Sequence, residues 1–475
     1  MSRCGAALGI TRRSWPCRID RRTFFKCCAV GSFGLYPALA LAAQVNSGAP
    51  LVPRPSHFPP RAKNLIFIFL TGGFSHVDTF DYKPRLQQDH GKKVVNRELR
   101  DTTDKAFYLI RSPFQFTPRG KCGLMISELF PNLGELADDL CVIRTLHTDI
   151  LEHFQATLAM HTGSATVPMP SLGSWLSYGL GTFNQNLPPY VVLDEHLPYA
   201  GAQIWDSNFL PPQHQGVQVL PGNEPIADLR SAARSITLAE LEHMMLRDVN
   251  ELHARERSWD LNLRGRSQSF ETARGMMQTA PRVFDLAGEL KSTLDMYGCP
   301  RGDNRSFAWQ CLIARRLVEQ GVRVVELIDT GSSNNWDAHG DMQEHRAKAL
   351  RVDRAIAALI QDIKQRGLFE DTLIAVCTEF GRAPWGGTPN DKGRNHHARA
   401  FTCLLTGAGV RGGIAYGQTD HYGINVLSNP CHVHDYHATI LHLMGIDHKK
   451  LTYRYAGRDF RLTDVHGNVL QTILA

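Results

Sequence analysis

Short, continuous apolar runs alternate with amphipathic stretches along much of the chain, and this alternation predicts an α/β fold. The run Asn64–Leu70 ends in Thr71-Gly72-Gly73 and is typical of a strand that is buried on both faces of a parallel sheet. Further strands are predicted at 140–143, 188–193, 322–328, 372–379 and 401–406, and helices at 153–161, 306–319, 343–366 and 434–444. Elements in this order imply right-handed crossovers, and therefore a doubly wound, mostly parallel sheet.

The segment 196–298 interrupts this alternation. Residues 196–230 are rich in Pro, Gly, Asn and Gln, which is typical of long surface loops. Residues 236–298 are polar and helical in pattern. One apolar stripe recurs there at steps of three or four residues: Leu238, Leu241, Met245, Val249 and Leu252. We therefore predict that 196–298 is a loop-rich and helical insertion that covers the sheet.

The first 42 residues are predicted to be a signal peptide rather than part of the fold. Asp20-Arg21-Arg22-Thr23-Phe24-Phe25-Lys26 matches a twin-arginine signal, and an apolar run with small-residue cleavage sites follows it. The run is short and interrupted by Gly and Pro, which argues against a stable transmembrane span, although an uncleaved anchor is the alternative. Residues 43–62 are Pro-rich and predict a linker. The domain is therefore expected at 63–475, in the periplasm or at the cell surface.

Removing the leader also removes the net charge. The chain has 52 basic and 46 acidic residues, of which the leader holds seven and one, so 52 − 7 = 45 and 46 − 1 = 45 remain. A neutral mature chain gives no support for nucleic-acid binding. Seven cysteines lie outside the leader without a C-x-x-C pair, and an odd number leaves at least one thiol free. Cys377 and Cys403 fall in predicted strands and are expected in the core.

Two carboxylates and two imidazoles follow the predicted strands of the second half. Asp337 and His339 come after the strand at 322–328, Glu379 ends the strand at 372–379, and His396 follows in Gly393-Arg394-Asn395-His396. Open parallel sheets carry their sites at the carboxyl ends of strands, so these side chains are expected at one edge. The set suits a divalent metal ion. The alternatives are a loop-stabilising hydrogen bond between Asp337 and His339, and a solvated loop around His396.

Two other pairs compete with this assignment. Asp341 and His345 are four residues apart and would share one helical face. His434 and His437 have the spacing of a metal pair, but they begin an amphipathic helix, and we expect packing histidines there.

Anion chemistry is predicted from two arginines and a histidine. Arg382 and Arg394 lie on the same loops as the metal candidates, and arginine forks bind tetrahedral oxyanions bidentately. A surface ion pair between Glu379 and Arg382 is the alternative. His153 begins a predicted helix, whose N-terminus stabilises an anion, and is a candidate nucleophile or general acid. A polar capping region without chemistry is the other interpretation of His153.

Several motifs together resemble the bacterial domain-of-unknown-function 1501 (DUF1501) family over essentially the whole mature length. The motifs are Gly72-Gly-Phe-Ser-His76-Val-Asp78-Thr-Phe-Asp81, Ser127-Glu-Leu-Phe130, Trp336-Asp-Ala-His339, Glu379-Phe-Gly-Arg382, Gly393-Arg-Asn-His396 and Tyr455-Ala-Gly-Arg-Asp459. The family looks like a divergent branch of the alkaline phosphatase/sulfatase superfamily. The resemblance implies a doubly wound α/β sheet and metal-bound oxyanion chemistry.

The chain departs from the superfamily pattern at several positions. Phe380 stands where a histidine ligand belongs, and Thr71-Gly72-Gly73 stands where paired aspartate ligands are expected. Asp78 and Asp81 are possible substitutes for those ligands. No Cys-x-Pro-x-Arg signature of formylglycine is present, which argues against conventional sulfatase chemistry.

The sequence therefore predicts an exported, metal-dependent hydrolase of sulfate or phosphate esters, with sulfated or phosphorylated small molecules or polysaccharides as substrates. One divalent ion (zinc, calcium or manganese) is expected on Asp337, His339 and His396, with Glu379 as a further ligand or a base. Arg382 and Arg394 are expected to hold the oxyanion and His153 to act as nucleophile or acid. The alternatives are a non-catalytic binding or assembly protein on the same scaffold, and a metal-dependent isomerase or mutase.

Overall fold

The computed structural model describes residues 51–96, 105–229, 235–257 and 259–475. The predicted signal peptide, residues 1–42, lies outside these ranges. Leu51–Ala475 forms one compact unit. Part of the predicted linker belongs to this unit, because Leu51 and Ala62 are buried and the Arg54 amide donates to the Leu180 carbonyl at 2.9 Å. The folded domain thus begins before position 63.

A nine-stranded sheet forms the centre of this unit. In chain order its strands are β1 (Asn64–Phe69), β2 (Cys141–His147), β3 (Tyr190–Asp194), β4 (Val217–Val219), β5 (Val324–Ile328), β6 (Thr372–Cys377), β7 (Phe401–Thr406), β8 (Ile414–Tyr416) and β9 (Cys431–His432). Across the sheet the order is β8-β2-β7-β6-β1-β5-β3-β4, and β9 also pairs with β2. Strand β7 runs antiparallel to β6 and β2, whereas the other pairs are parallel. The predicted α/β fold with a mostly parallel sheet is confirmed.

Helices cover both faces of the sheet. The longer ones are α1 (His153–Thr162), α2 (Leu172–Leu180), α3 (Ile236–Arg255), α4 (Leu261–Phe284), α5 (Lys291–Tyr297), α6 (Phe307–Glu319), α7 (Glu344–Gln365) and α8 (Val433–Leu443), and the shorter ones are His76–Thr79, Pro84–Gln88 and Pro131–Glu135. Successive side chains of a strand point to opposite faces. In β1, Ile66 and Ile68 join the core with α6 and α7, while Leu65 and Phe67 join the core with α2 and α8. The domain therefore has three layers, with helices on either side of the sheet.

Short strands tie the loops together outside the central sheet. They are Lys93–Asn96, Lys105–Leu109 and Trp385–Gly386 in one small sheet, and the pairs Phe116–Arg119 with Leu124–Ser127, Gly381–Arg382 with His396–His397, Gln418–Thr419 with Val426–Ser428, and Tyr453–Tyr455 with Arg458–Phe460. The pair Gly381–Arg382 with His396–His397 joins two of the loops that carry predicted site residues. The loop after β6 and the loop that carries His396 are therefore held side by side by strand pairing and not only by their order along the chain.

The segment 196–298 divides between the sheet and the surface. Strand β4 lies within it and pairs with β3 at the edge of the central sheet. Helix α4 buries Met276, Ala280 and Val283 in the core. No residue of α3 is buried, so its apolar stripe is exposed.

Two further findings concern membrane-spanning helices and cysteines. Among the helices that the structure describes, none combines the length and hydropathy that crossing a membrane requires. The seven cysteines of the described residues are free thiols. Cys122 is exposed, and the other six, including Cys377 and Cys403, are buried.

Candidate functional site

The loops of the candidate site follow three neighbouring parallel strands. Gly72 follows β1, Asp337 follows β5, and Glu379 and Arg382 follow β6, and these strands lie in the order β6-β1-β5 in the sheet. The fourth contributor, His153, is the first residue of α1. The site thus forms at the carboxyl edge of the sheet, where open α/β folds place their ligands.

A buried aspartate holds the loop that brings Asp337 into position. Asp329 accepts hydrogen bonds from the Thr71 amide at 3.1 Å and from the Trp336 indole N–H at 2.7 Å. The Trp336 amide in turn donates to the Thr71 carbonyl at 3.0 Å. The loop after β5 is therefore fastened to the end of β1 immediately before Asp337.

Three imidazoles meet at the Asp337 carboxylate. Its Oδ1 lies 2.9 Å from His339 Nε2 and 3.3 Å from His396 Nε2, and its Oδ2 lies 3.3 Å from His153 Nε2. The Nε2 atoms of His339 and His396 are 3.1 Å apart. One donor atom each from His153, Asp337 and His396 lies within 4.8 Å of the others, so the three side chains could hold one metal ion. The structure thus brings together all three residues that the sequence predicted as the core ligands, and adds His153 to them.

The hydrogen bonds at the other ring nitrogens orient these imidazoles. His153 Nδ1 lies 2.7 Å from Glu379 Oε1, His396 Nδ1 lies 2.6 Å from the Leu151 carbonyl, and His339 Nδ1 lies 3.3 Å from Asn395 Oδ1. Each of these partners is an oxygen acceptor, so each Nδ1 donates its proton, and in a neutral ring the Nε2 then holds the lone pair that a metal ion would take. A carbonyl or carboxylate behind a histidine is the usual support of a metal ligand.

Glu379 lies behind His153 rather than beside Asp337. Its Oε1 accepts from His153 and from the Gly72 amide at 2.8 Å, and its Oε2 accepts from the Thr378 hydroxyl at 2.9 Å. The side chain is buried, with 1% exposure. Both oxygens are occupied by protein donors, so the geometry favours an orienting role for Glu379 over direct ligation.

Electrostatics keep Asp337 ionised. Burial would raise the pKa of its carboxyl, but the His153 and His396 imidazoles and the Arg382 charge outweigh burial and hold this pKa well below its usual range. Burial lowers the pKa of His153, but its contacts with Asp337 and Glu379 raise it overall. Burial lowers the pKa of His339, and together with the charges of Arg382 and His396 it outweighs the Asp337 carboxylate, which raises this pKa. The cluster thus combines a permanent carboxylate with a neutral, solvent-facing His339.

Arg382 and Arg394 are engaged by the protein itself. Arg382 is fully buried and donates to the carbonyls of Gly72, Gly73 and Arg394, and its Nη2 contacts Asp337. Arg394 is also buried and does not join the cluster. It forms a two-pronged ion pair with Asp78 at 2.7 and 3.2 Å. The geometry therefore favours a structural role for both arginines, which hold neighbouring loops together.

The competing residues have other partners. Asp78 binds Arg394, and Asp81 pairs with Lys83 at 2.9 Å. His345 is buried and accepts the Ser75 amide at 3.1 Å, and His437 is buried and bonds to the Met160 carbonyl at 2.6 Å. His437 is thus a packing histidine, which agrees with the interpretation of its helix from sequence.

Sequence reasoning did not identify three groups that shape the site. The Tyr199 ring stacks on His153 with centroids 4.1 Å apart, but Tyr199 lies in the segment read as an insertion, where no pattern marks it. The Leu151 carbonyl is a backbone group, and its contact with His396 cannot be predicted from the residue type at position 151. Asn395, by contrast, stands between Arg394 and His396 in a quoted motif, and its spacing could have suggested support for a ligand.

The glycine of that motif has a steric role, and it provides a test of the site. A Cβ at Gly393 would lie 1.9 Å from the His339 carbonyl oxygen, so the segments that carry His339 and His396 approach closely only because residue 393 is glycine. We expect Gly393→Ala to separate these segments and to weaken metal binding by at least about tenfold, the scale of losing a ligand-supporting contact. Metal titration of the folded variant measures this, with Gly387→Ala, which meets no close atom, as control. Equal metal affinity in both variants would contradict it.

Solved structures with a similar fold were found. The lipoteichoic acid synthase LtaP from Listeria monocytogenes is 9% identical, with 87% of this chain and 78% of that chain covered and a TM-score of 0.37. The PsFucS1 sulfatase from Pseudoalteromonas sp. is 12% identical, with 81% and 68% covered and a TM-score of 0.36. A protein in the alkaline phosphatase superfamily from Vibrio parahaemolyticus is 12% identical, with 84% and 70% covered and a TM-score of 0.36. The likeness is distant and carries no conclusion about activity.

Sequence comparison supplies the family. No curated protein is significantly similar to the chain. The profile of the family described as "Protein of unknown function (DUF1501)" matches residues 62–474, which is most of the chain. The chain therefore belongs to the DUF1501 family.

Proposed function

We propose that the protein is an exported, metal-dependent hydrolase of sulfate or phosphate esters. The observation that carries the proposal is the convergence of three imidazole Nε2 atoms on the Asp337 carboxylate, while each Nδ1 already faces an oxygen acceptor. In the neutral rings the Nε2 lone pairs and the carboxylate face one another, and a divalent cation would bind all of them at once. Export is supported by the twin-arginine motif at residues 20–26, which lies outside the described residues.

The donor set fits a metal ion by two further measures. His153 is 9% exposed, and its buried Nε2 lies 3.3 Å from Asp337 Oδ2 but forms no well-directed hydrogen bond with any residue that the structure describes. A buried polar atom without a partner is costly unless a ligand satisfies it. Four of the donor separations are 2.9–3.3 Å, and the donor atoms of His153, Asp337 and His396 all lie within 4.8 Å of one another. Tetrahedral bonds of about 2.0–2.1 Å place neighbouring ligand atoms roughly 3.3 Å apart. Of zinc, calcium and manganese, an imidazole-rich set favours zinc.

The chain's own residues prepare the site for hydrolysis. A bound divalent cation supplies a Lewis acid and lowers the pKa of a water molecule. Glu379 and the Leu151 carbonyl hold the rings of His153 and His396 in place, and Arg382 holds Asp337. In the overall reaction a water oxygen bonds to sulfur or phosphorus, the bond to the ester oxygen breaks, and the alcohol leaves with one proton from the water.

A large cleft beside the cluster supports a substrate bigger than a simple ester. It has a volume of about 860 Å³, and Asp341 and Lys392 are among its lining residues. Asp341 follows His339 by two residues and pairs with Lys392 in a β-bridge, so the chain segment that carries His339 continues into the wall of the cleft. Tyr82 and Phe116 present neighbouring rings on its wall, with centroids 5.0 Å apart. Aromatic surface beside polar groups suits the alternating faces of a sugar chain, which favours a sulfated or phosphorylated polysaccharide.

Metal content tests the proposal first. We expect about one equivalent of bound metal by mass spectrometry in the purified protein, and almost none after Asp337→Ala or His396→Ala, because each variant removes a converging donor. Glu379→Gln is expected to retain the site but to weaken metal affinity about 10–100-fold, since it alters only the support of His153. His253→Ala on the exposed helix α3 is the matched control.

Activity is measured on the same samples with aryl sulfates, aryl phosphates and sulfated polysaccharides. Loss of both metal and ester hydrolysis in Asp337→Ala, with both retained in His253→Ala, is the expected result. Hydrolysis that persists in Asp337→Ala at wild-type rate would disprove the assignment of the site.

One observation favours a second function, a non-catalytic exported binding or assembly protein. Arg382 and Arg394 are buried and bound to protein oxygens, so neither offers its guanidinium to an oxyanion in the way the sequence predicted. A scaffold that uses the metal only for stability would show this arrangement. Such a protein would bind metal and lose stability on chelation, but would hydrolyse none of the esters above.

A further inference from the structure

A small pocket opens directly beside the imidazole cluster. Its volume is about 230 Å³, and His339 and His396 form part of its wall. Ligand pockets for drug-sized molecules are larger, roughly 300–1,000 Å³. The pocket therefore accepts one small chemical group, while the rest of a larger molecule stays outside.

The wall beside the histidines carries a buried donor without a partner. Trp385 lines the pocket and is 2% exposed, and its indole Nε1–H has no hydrogen-bond acceptor among the residues that the structure describes. The ring is held in place, because it packs edge-on against His397 with centroids 5.2 Å apart and its backbone pairs with Leu109. Trp side chains usually bond their N–H when they are buried. A fixed, unsatisfied donor of this kind points to a ligand that supplies an acceptor.

Two more donor-bearing groups line the same pocket. Arg399 is half-buried there, and its Nη1 lies 3.4 Å from Asn425 Oδ1, which directs the guanidinium. Asn395 turns its Oδ1 toward His339, so its amide NH₂ faces away from that ring. The carboxylate of Glu152 also lines the pocket and is exposed. Donors and a positive charge thus surround a space that adjoins the proposed metal ligands.

We propose that this pocket is the oxyanion subsite of the protein, which binds a tetrahedral sulfate or phosphate group between the Trp385 N–H, the Arg399 guanidinium and the wall formed by His339 and His396. Trp385 and Arg399 thereby take the role that the sequence assigned to Arg382 and Arg394. The subsite gives specificity for an anionic ester, because an indole N–H and a guanidinium both bind acceptor-rich groups. Its chemical class rests on the proposed function, but anion binding is measurable without turnover.

The test is calorimetric titration of the full-length, metal-loaded protein with inorganic sulfate and, separately, with inorganic phosphate. Trp385→Phe removes the N–H and keeps an aromatic ring, and we expect it to weaken anion binding roughly tenfold or more, the range for a hydrogen bond to a charged group. Arg399→Ala is expected to weaken it by a similar or larger factor. Trp259→Phe, at a position that is 79% exposed, and Arg305→Ala are the matched controls and should bind as the wild type does. The tighter of the two anions indicates the ester class.

The outcomes separate this inference from the proposed function, because metal content is measured on every sample. If Trp385→Phe and Arg399→Ala retain metal and bind both anions as the wild type does, the subsite is wrong and the metal site stands. If the wild type holds no metal yet binds the anions through Trp385 and Arg399, the proposed hydrolase is wrong and the subsite stands. If the metal-loaded wild type binds neither anion, the subsite is also wrong. If Trp385→Phe does not fold, Arg399→Lys becomes the test. We expect this variant to bind the anions more tightly than Arg399→Ala and more weakly than the wild type.

Discussion

Replacement of Arg394 by methionine is expected to lower the free energy of unfolding by about 3–5 kcal/mol. The variant leaves the Asp78 carboxylate buried with no exposed surface and without its cation. Burial raises the pKa of Asp78, but the charge and hydrogen bonds of Arg394 outweigh burial and lower this pKa overall, so the carboxylate depends on Arg394 to stay ionised. Arg394 also donates to the Ile110 and Ala383 carbonyls, so its loss leaves further buried acceptors unpaired.

Urea denaturation measures this effect, and a double-mutant cycle isolates the pair. Asp78→Asn alone should also destabilise, whereas the double variant Asp78→Asn/Arg394→Met should lose less than the sum of the single variants. Lys291→Ala is the control, because it breaks an ion pair whose side chains are 83% and 61% exposed and should change stability by less than about 1 kcal/mol. A stable Arg394→Met variant that has lost only anion binding would instead support the role in oxyanion binding that the sequence suggested.

The architecture was predictable because burial on both faces leaves a continuous apolar run. Strands such as β1 and β6 are therefore visible in sequence to within one or two residues. Strand direction leaves no such trace: β7 is as apolar as its neighbours, and its antiparallel orientation depends on the connection that precedes it. The exposed stripe of α3 shows the converse, since helical periodicity indicates an apolar face but not what covers it.

The sequence predicted which site residues lie close together when they all follow strands at the carboxyl edge of the sheet. It did not predict the role of a residue when that role depends on whether the side chain is buried. Asp337 and His396 are far apart in sequence, but both were expected at that edge, and they were therefore predicted to lie close together. Arg394 lies one residue before Asn395 and two before His396, but its side chain points into the interior. Only the fold shows that its partner is Asp78. His153 was recognised as a chemically important residue, whereas its contact with Glu379 joins elements 226 positions apart.

Acidification from pH 7.5 to 5.5 is expected to lower the free energy of unfolding by about 5 kcal/mol through four buried histidines. Burial lowers the pKa of His214, His345, His397 and His437 to about 3 in the folded state. In the unfolded chain a histidine pKa is about 6.5. The folded state therefore binds fewer protons than the unfolded state between these values. The stabilisation is complete above pH 6.5 or so and is lost progressively as the pH falls toward 3.

Each of these histidines should contribute about 1.4 kcal/mol over that interval, because the unfolded chain gains close to one proton that the folded chain excludes. His153 and Asp194 act in the opposite direction, because contacts with carboxylates raise the pKa of His153 overall and burial raises the pKa of Asp194 to about 6. The net change is therefore smaller than the contribution of the four histidines alone. Urea denaturation at pH 7.5, 6.5 and 5.5, with chelator present throughout, measures the total.

The variant His437→Gln assigns part of this slope to one residue. His437 donates from Nε2 to the Met160 carbonyl at 2.6 Å, and a glutamine amide can replace that donor without titrating. We expect the pH dependence of unfolding to decrease by about 1.4 kcal/mol between pH 7.5 and 5.5 in this variant. His253→Gln, on the exposed helix α3, should leave the slope unchanged. If the two variants show the same slope as the wild type, buried His437 is protonated in the folded protein and the assignment of acid sensitivity to buried neutral histidines is wrong.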